Sequence, residues 1–379
     1  MSYVPFPLVE IAGGPYERGV AYGRAAVERI RRSVRLYADQ MGGMGFSWNE
    51  VRGIVTGFVP KMEGYASDLV EEMRGIAAGA DCAFEDVALV NCRTEVLQIG
   101  ERRAAARVSK DGCTGVIVLP EASLDGRLIH AQNWDWKPEC VDTAVVLRIR
   151  REDGPDLLTF TEAGGLARSG FNAAGLAITA NYLESDRDFR ELGIPLPLIR
   201  RKVLESAHLA DGIRLVATTP KSISNNMMLS TAEGFGINFE CAPDEAFPLY
   251  PQDGLLVHAN HWVGAVPLSK LKETGIDSVP DSYYRDWRVR QHLKENIGGI
   301  TPDDVKAALF DDFAAPYAVC RPPHHDRPSH SSISATVAMI VMQPALGQMQ
   351  IAPMPALQRE FTGYVLEMER PRGPKRSSA

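Results

Sequence analysis

The most chemically pointed stretch of this 379-residue chain is Lys110-Asp-Gly-Cys-Thr-Gly-Val-Ile-Val-Leu119. Glycine permits sharp backbone conformations that residues with a Cβ resist, and Gly112 stands directly before Cys113, which opens an apolar run. A thiol at the first residue of a strand can sit at that strand's exposed end and attack the carbonyl in front of it. The Gly112 acyl group then passes from nitrogen to sulfur, and water hydrolyses the thioester. The freed α-amine, with an ordinary pKa of about 8, can serve as general base for its own thiol, so no catalytic histidine is required. By itself the Gly-Cys pair suits a buried structural cysteine better, which is the commoner fate of a free thiol.

Polar groups that close other apolar runs change that balance. Gln132-Asn-Trp-Asp135 follows the first run across Asp125-Gly126, a hairpin signal, so Asp135 is expected on a strand beside Cys113. Leu255-Leu-Val-His-Ala-Asn-His261 ends with Asn260, and Tyr317-Ala-Val-Cys-Arg321 ends with a guanidinium. A thiol, a carboxylate, an amide and a guanidinium at the ends of strand-like runs suit acyl transfer. The thiolate attacks, the amide donates to the oxyanion, and an Arg–Asp pair orients the rest.

At Asp111–Thr114, Asn133–Asp135, Asn260-His261 and Cys320-Arg321, in that order, the chain resembles the acyl-coenzyme A:6-aminopenicillanic acid acyltransferase family, which is related to the choloylglycine hydrolases. Met73–Ala80, Asp86-Val87, Arg93–Glu95 and Gly175–Asn181 extend the resemblance over nearly the whole chain. The fold it implies is α+β, the four-layer αββα sandwich of N-terminal nucleophile hydrolases. It also implies a self-processing zymogen cut between Gly112 and Cys113, whose fragments 1–112 and 113–379 form one domain. Cys113 would be nucleophile and base, Asp135 would position the amine, and Asn260 would supply the oxyanion hole. Arg321 would support the cysteine or bind substrate, and Asn181 would line the site. Thr114 and Trp134 join Asn181 as candidate substrate-binding residues, Trp134 sharing a sheet face with Trp136. Choloylglycine relatives often carry arginine where this chain has Gln132, a departure that argues against a bile-salt-like substrate.

The function expected is hydrolysis of a linear amide, an N-acyl amine or a small peptide-like conjugate, through an acyl-cysteine. Acyl transfer to an amine would use the same site. The alternative from another class is an uncleaved, non-catalytic binding protein of the same fold. His258 and His261 beside Asn260 leave a Cys–His pair open, although neither has an evident Asn or Asp partner. Pro322-Pro-His-His-Asp-Arg-Pro-Ser-His330 reads as a loop rather than a metal site, because adjacent histidines converge poorly on one tetrahedral ion. No cofactor or metal is expected. Glu95 and Glu101 are expected to face solvent.

The elements that must hold these groups divide the chain in two. Apolar spacing predicts helices over Tyr16–Met41, Ser47–Phe58, Lys61–Ala78 and Glu85–Leu97, with Ser47 and Glu50 forming a capping box. From Cys113 onward short β-rich runs dominate, at Cys113–Leu119, Leu128–Trp134, Thr143–Arg150, Leu157–Glu162, Leu176–Tyr182, Ser222–Thr231, Gly236–Cys241 and Leu255–Ala259. Helices are expected at Pro195–Ala210, Asp211–Thr218, Ser282–Asn296 and Thr301–Asp311, and late strands at Ser334–Gln343, Gln348–Ala352 and Phe361–Glu367. The formal net charge of -7 gives no reason to bind nucleic acid. No apolar run is long enough to span a membrane. The chain's first residues show no basic stretch followed by an apolar one, so export is not expected; a cytoplasmic enzyme is expected, with a small-molecule amide as partner and a homo-oligomer possible. The six cysteines form no C-x-x-C pair, which argues against a zinc ribbon or a redox motif.

Overall fold

The computed structural model describes residues 3–104, 112–325 and 333–369. Asp111 of the cleavage motif, the end of the histidine-bearing loop and the basic tail lie outside the described residues.

After a short strand β1 (Leu8–Ile11), six helices follow: α1 (Pro15–Ala25), α2 (Val27–Gly43), α3 (Trp48–Thr56), α4 (Val59–Ala80), α5 (Phe84–Asn91) and α6 (Arg93–Ala104). The expected Tyr16–Met41 helix is thus two, because Ala26 leaves helical geometry at φ -124°, ψ 21°. Cys92 breaks the Glu85–Leu97 helix with the same angles. Periodicity carries through such a break unchanged, which is why the sequence pattern does not register it. The Ser47–Glu50 capping box is present: Glu50 Oε2 accepts from Ser47 N at 2.8 Å, and Ser47 Oγ from Glu50 N at 3.4 Å. Gly19 and Gly23 of α1 meet Gly75 and Gly79 of α4 backbone to backbone. A Cβ on Gly19 would lie 2.2 Å from Glu72 O, and one on Gly75 2.2 Å from Tyr16 O. Only glycine allows helices so close an approach.

The remaining elements are β2 (Gly112–Val118), β3 (Ile129–Trp136), β4 (Ala144–Ile149), β5 (Leu157–Glu162), β6 (Ser169–Asn172), β7 (Leu176–Tyr182), α7 (Leu196–Leu204), α8 (Leu209–Thr218), β8 (Asn225–Thr231), β9 (Gly236–Cys241), β10 (Ala246–Leu249) and β11 (Leu255–His258). They are followed by α9 (Ala265–Lys270), α10 (Ser282–Lys294), α11 (Pro302–Leu309), β12 (His324–His325), β13 (Ile333–Gln343), β14 (Gln348–Pro353) and β15 (Thr362–Val365). One sheet has the order β1-β4-β5-β6-β7-β8-β9-β10; the other has the order β11-β2-β3-β13-β14-β15, with β12 paired to β13.

The two sheets pack face to face. His130 of β3 bonds Ser230 of β8 at 2.8 Å and Thr179 of β7 at 2.9 Å, and burial pushes its pKa down to about 3. Helices α7 and α8 cover the outer face of the first sheet, and α10 and α11 the outer face of the second. The architecture is therefore a four-layer αββα sandwich, the α+β fold expected. The N-terminal helices close one end of it, where Asn91 Nδ2 donates to Gly164 O at 2.8 Å and Arg93 Nε meets Glu162 Oε2 at 2.6 Å. Among the described residues no helix is long and apolar enough to cross a membrane.

Candidate active site

The register of β2 against β3 organises the site. Gly112 pairs with Asp135, Cys113 with Trp134 and Thr114 with Asn133. Paired residues in an antiparallel ladder share a face, and neighbours along a strand take opposite faces. The Cys113 side chain therefore points between the sheets with Trp134, while Thr114 and Asp135 point toward α10 and α11. Trp134 is fully buried and meets the Phe160 ring edge-on at 5.5 Å. Trp136 is on the same face, its Nε1 donating to Tyr37 OH at 3.1 Å.

Between those faces, in the plane of the sheet, the Cys113 N–H donates to Asn260 Oδ1 at 2.8 Å. Asn260 lies just beyond β11, which runs antiparallel to β2 with His258 opposite Gly115. Its amide orientation is fixed chemically. Oδ1 also accepts from Arg285 Nη2 at 2.7 Å, and Nδ2 donates to Tyr182 O at 2.9 Å; a guanidinium only donates and a carbonyl only accepts.

Asp135 lies over Gly112. A Cβ built on Gly112 would be 2.8 Å from Asp135 Oδ2 and 3.3 Å from Arg321 Nη1, so this position has no room for a side chain. Asp135 accepts from Thr336 Oγ1 at 2.7 Å and faces Arg321 Nε at 3.2 Å. A bulge in β13 between Thr336 and Ala338 sets Thr336 opposite Asp135. Burial raises the Asp135 pKa, and Arg321, Arg285 and the Thr336 bond only partly offset it.

Cys113, Asp135, Asn260, Arg321, Thr114 and Trp134 are neighbours, but sequence pattern misses the groups that join them. Asp281, at the start of α10, pairs with Arg321 and with Arg285 Nε, the latter at 2.6 Å. Burial works against the Asp281 charge, yet the two guanidiniums hold its pKa below the ordinary value. Arg285 also donates to Cys113 O at 2.7 Å and Thr114 Oγ1 at 2.9 Å. Asp281 and Arg285 are four apart on a helix, a pairing visible in sequence; what they reach is not. Arg168, which nothing in the motifs marks, places Nη2 3.6 Å from Cys113 Sγ.

Asn181 is one step further out. Its Nδ2 donates to His258 O at 2.9 Å, and its Oδ1 accepts from Gln132 Nε2 at 2.8 Å. The two histidines are committed elsewhere. His258 places Nδ1 3.0 Å from Ala259 O and Nε2 2.9 Å from Glu240. His261 Nδ1 bonds Ser282 Oγ at 2.8 Å, and its Nε2 lies 4.0 Å from Asp286, the acidic neighbour that the sequence did not reveal. Burial, with His258 and Arg285 nearby, pushes the His261 pKa down to about 3. Glu95, expected in solvent, is instead fully buried in a small cavity lined also by Arg93, Arg168, Arg200 and Glu162. It faces inward because α6 packs against the turn after β5, and burial raises its pKa to about 7. Among the described residues no group of three or more His, Cys, Asp or Glu is placed to hold a metal ion.

The sequence profile described as "Acyl-coenzyme A:6-aminopenicillanic acid acyl-transferase" matches residues 123–352. The chain is 26% identical over 317 residues to the acyl-coenzyme A:6-aminopenicillanic-acid-acyltransferase 40 kDa form of Emericella nidulans, covering 83% of this chain and 84% of that protein. An uncharacterised protein of Archaeoglobus fulgidus is 24% identical over 350 residues, covering 80% of this chain and 57% of that one. Among solved structures, a mutant conjugated bile acid hydrolase from Clostridium perfringens aligns with TM-score 0.46 and 12% identity, over 68% of this chain and 93% of that one. Penicillin V acylase from Agrobacterium tumefaciens aligns with TM-score 0.44 and 15% identity, over 67% and 86%.

Proposed function

The chain belongs to the acyl-coenzyme A:6-aminopenicillanic acid acyl-transferase family, and from that premise we propose that it is a self-processing cysteine amidohydrolase with Cys113 as nucleophile. The observation that carries this reading is the position of Cys113 at the start of β2. Its sulfur lies between the sheets, its nitrogen is held by Asn260, and the preceding glycine is pressed under Asp135.

In the first step the thiol adds to the Gly112 carbonyl. The C–N bond breaks, the Cys113 nitrogen leaves with the proton, and a Gly112 thioester remains. Water then releases the Gly112 carboxylate and restores the thiol. The new α-amine occupies the space between Asn260 Oδ1 and the Asp135 carboxylate, two acceptors suited to an ammonium. It takes the proton from the thiol as the sulfur adds to a substrate amide carbonyl, and returns that proton to the amine that leaves when the C–N bond breaks. Asn260 Nδ2, the side-chain amide donor beside Cys113 that also reaches Tyr182 O, is assigned to the oxyanion. Arg321, tied to both Asp135 and Asp281, is assigned to position the carboxylate.

The substrate class is a linear amide, an N-acyl amine or a small peptide-like conjugate. The acyltransferase relative from Emericella nidulans favours one second reading, transfer of the acyl group to an amine at the same thiol. Fragments 1–112 and 113–379 remain one domain in this proposal. Support comes from the parallel pairing of β1 with β4, the Arg93–Glu162 ion pair and the buried Arg201–Glu72 pair at 2.8 Å, each joining the two segments.

Intact-mass analysis tests the proposal. Purified protein is expected to give two associated fragments cut after Gly112, and Cys113→Ala a single chain, with Cys82→Ala and Cys140→Ala processed like the parent. A parent chain that stays whole after long incubation at neutral pH overturns the proposal.

A further inference from the structure

Arg168 stands in the turn between β5 and β6 and is only 6% exposed. Its guanidinium carbon lies 4.3 Å from the centre of the Trp134 ring, the residue directly across the ladder from Cys113, and its Nη2 reaches Cys113 Sγ at 3.6 Å. The turn is held from both sides. Gly164, at φ +91°, donates its N–H to Tyr22 OH at 2.9 Å and accepts from Asn91 Nδ2 on its oxygen, and Leu166 N donates to Asn91 Oδ1 at 2.9 Å. Ser169, the next residue, donates to Gln132 Oε1 at 2.7 Å, and Gln132 in turn holds Ala180 O at 2.7 Å. Helices α1 and α5 and strands of both sheets thus set where this guanidinium points.

We propose that Arg168 is a catalytic residue that donates to the Cys113 sulfur and holds it as the thiolate. A guanidinium stays charged when buried, and its planar face stacks on an aromatic ring while its edge donates. A cation against a thiol favours the nucleophilic anion. The other charges near Cys113 are placed differently. Arg285, from α10, is directed at Cys113 O. Asp135, Asp281 and Arg321 lie on the far face of the sheet. Arg93, Arg200, Glu95 and Glu162 line the cavity on the side of Arg168 that faces α5 and α6.

The inference rests on Cys113 as the nucleophile, and the test separates the two. Thiolate ultraviolet absorbance is titrated in the parent and in Arg168→Met, each against its own Cys113→Ser counterpart, so that the difference reports Cys113. Burial pushes the other thiols up, Cys82 to about 11 and Cys320 to about 12, which keeps their titration apart. The parent midpoint is expected below the ordinary thiol value of about 8.5. Arg168→Met should raise it by about one pH unit or more, the usual effect of losing an adjacent opposite charge, while Arg168→Lys keeps most of the depression. Self-cleavage at neutral pH should slow about tenfold for each pH unit by which the midpoint rises, following the thiolate fraction. A parent midpoint at or above the ordinary value overturns the inference even where Arg168→Met fails to fold, and so does an unchanged midpoint in that variant. A low midpoint in a chain that never self-cleaves sinks the proposed function and leaves this inference standing.

Discussion

Arg285 is the group whose removal tests the site most severely. Fully buried, it donates to Cys113 O, Thr114 Oγ1 and Asn260 Oδ1 and pairs with Asp281, at 2.7, 2.9, 2.7 and 2.6 Å respectively. Arg285→Met removes all four contacts and leaves Asp281 to Arg321 alone. Breaking one partner of a buried ion pair costs about 3–5 kcal/mol. Hydrogen bonds to charged groups contribute about 1.5–3 kcal/mol each, though contacts sharing one side chain do not add. We therefore expect Arg285→Met to lose about 3–5 kcal/mol in urea unfolding. Asn260 also loses the donor that orients its amide, so self-cleavage should slow at least about a hundredfold, the cost of one misplaced oxyanion group. Arg285→Lys keeps the charge but not the fork, and should recover part of the stability and little of the cleavage rate. The assays are urea denaturation of the unprocessed Cys113→Ala background and timed intact mass in the Cys113 chain. A parent-like cleavage rate in Arg285→Lys would refute the role given to the guanidinium in orienting Asn260.

Asn260→Ala should fold, yet turn over amide substrate about 10²–10³-fold more slowly; parent-like turnover places the oxyanion donor elsewhere. Glu95 has its pKa raised from 4.5 to about 7, chiefly by burial, so the folded protein binds the extra proton between those values and stability falls as pH rises through that window. Glu95→Gln should therefore stabilise the fold at pH 8 by about 3 kcal/mol, at about 1.4 kcal/mol for each pH unit separating the folded and unfolded values. That gain should vanish below about pH 4.5, the carboxyl's unfolded value; equal urea midpoints for the two proteins at pH 8 would count against it. Gly23→Ala places a Cβ 2.3 Å from Ile76 O and 2.8 Å from Ala80 N, and backbone cannot yield as a side chain does. Its cost should reach or exceed the about 1–3 kcal/mol of ordinary overpacking, read as a lowered urea midpoint, whereas Gly53→Ala, with open space around its Cβ, should be harmless.

What the sequence by itself determined was local. Strand alternation around Asp135 put Trp134 and Trp136 on one face; the Ser47–Glu50 cap and several strand limits follow from chemistry within a few residues. The order of motifs brought out Cys113, Asp135, Asn260 and Arg321 because each closes or opens an apolar run. Tertiary structure alone decided what those groups do to one another. Cys113 and Asn260 are 147 residues apart, and the bond between them depends on β11 pairing with β2 in one register. The Asp281–Arg285 pair is legible as a helical spacing, but its reach to Cys113 O requires α10 to pack on the outer face of that sheet. Glu95 looked like a surface carboxylate because a short charged helix gives no sign of what will cover it. Arg168 carries no local signature at all. Its place beside the thiol comes from a turn tied to Tyr22, Asn91 and Gln132, residues distant in the chain. Backbone propensity and apolar period act over neighbours, whereas the direction of a buried charge is set by every element packed around it.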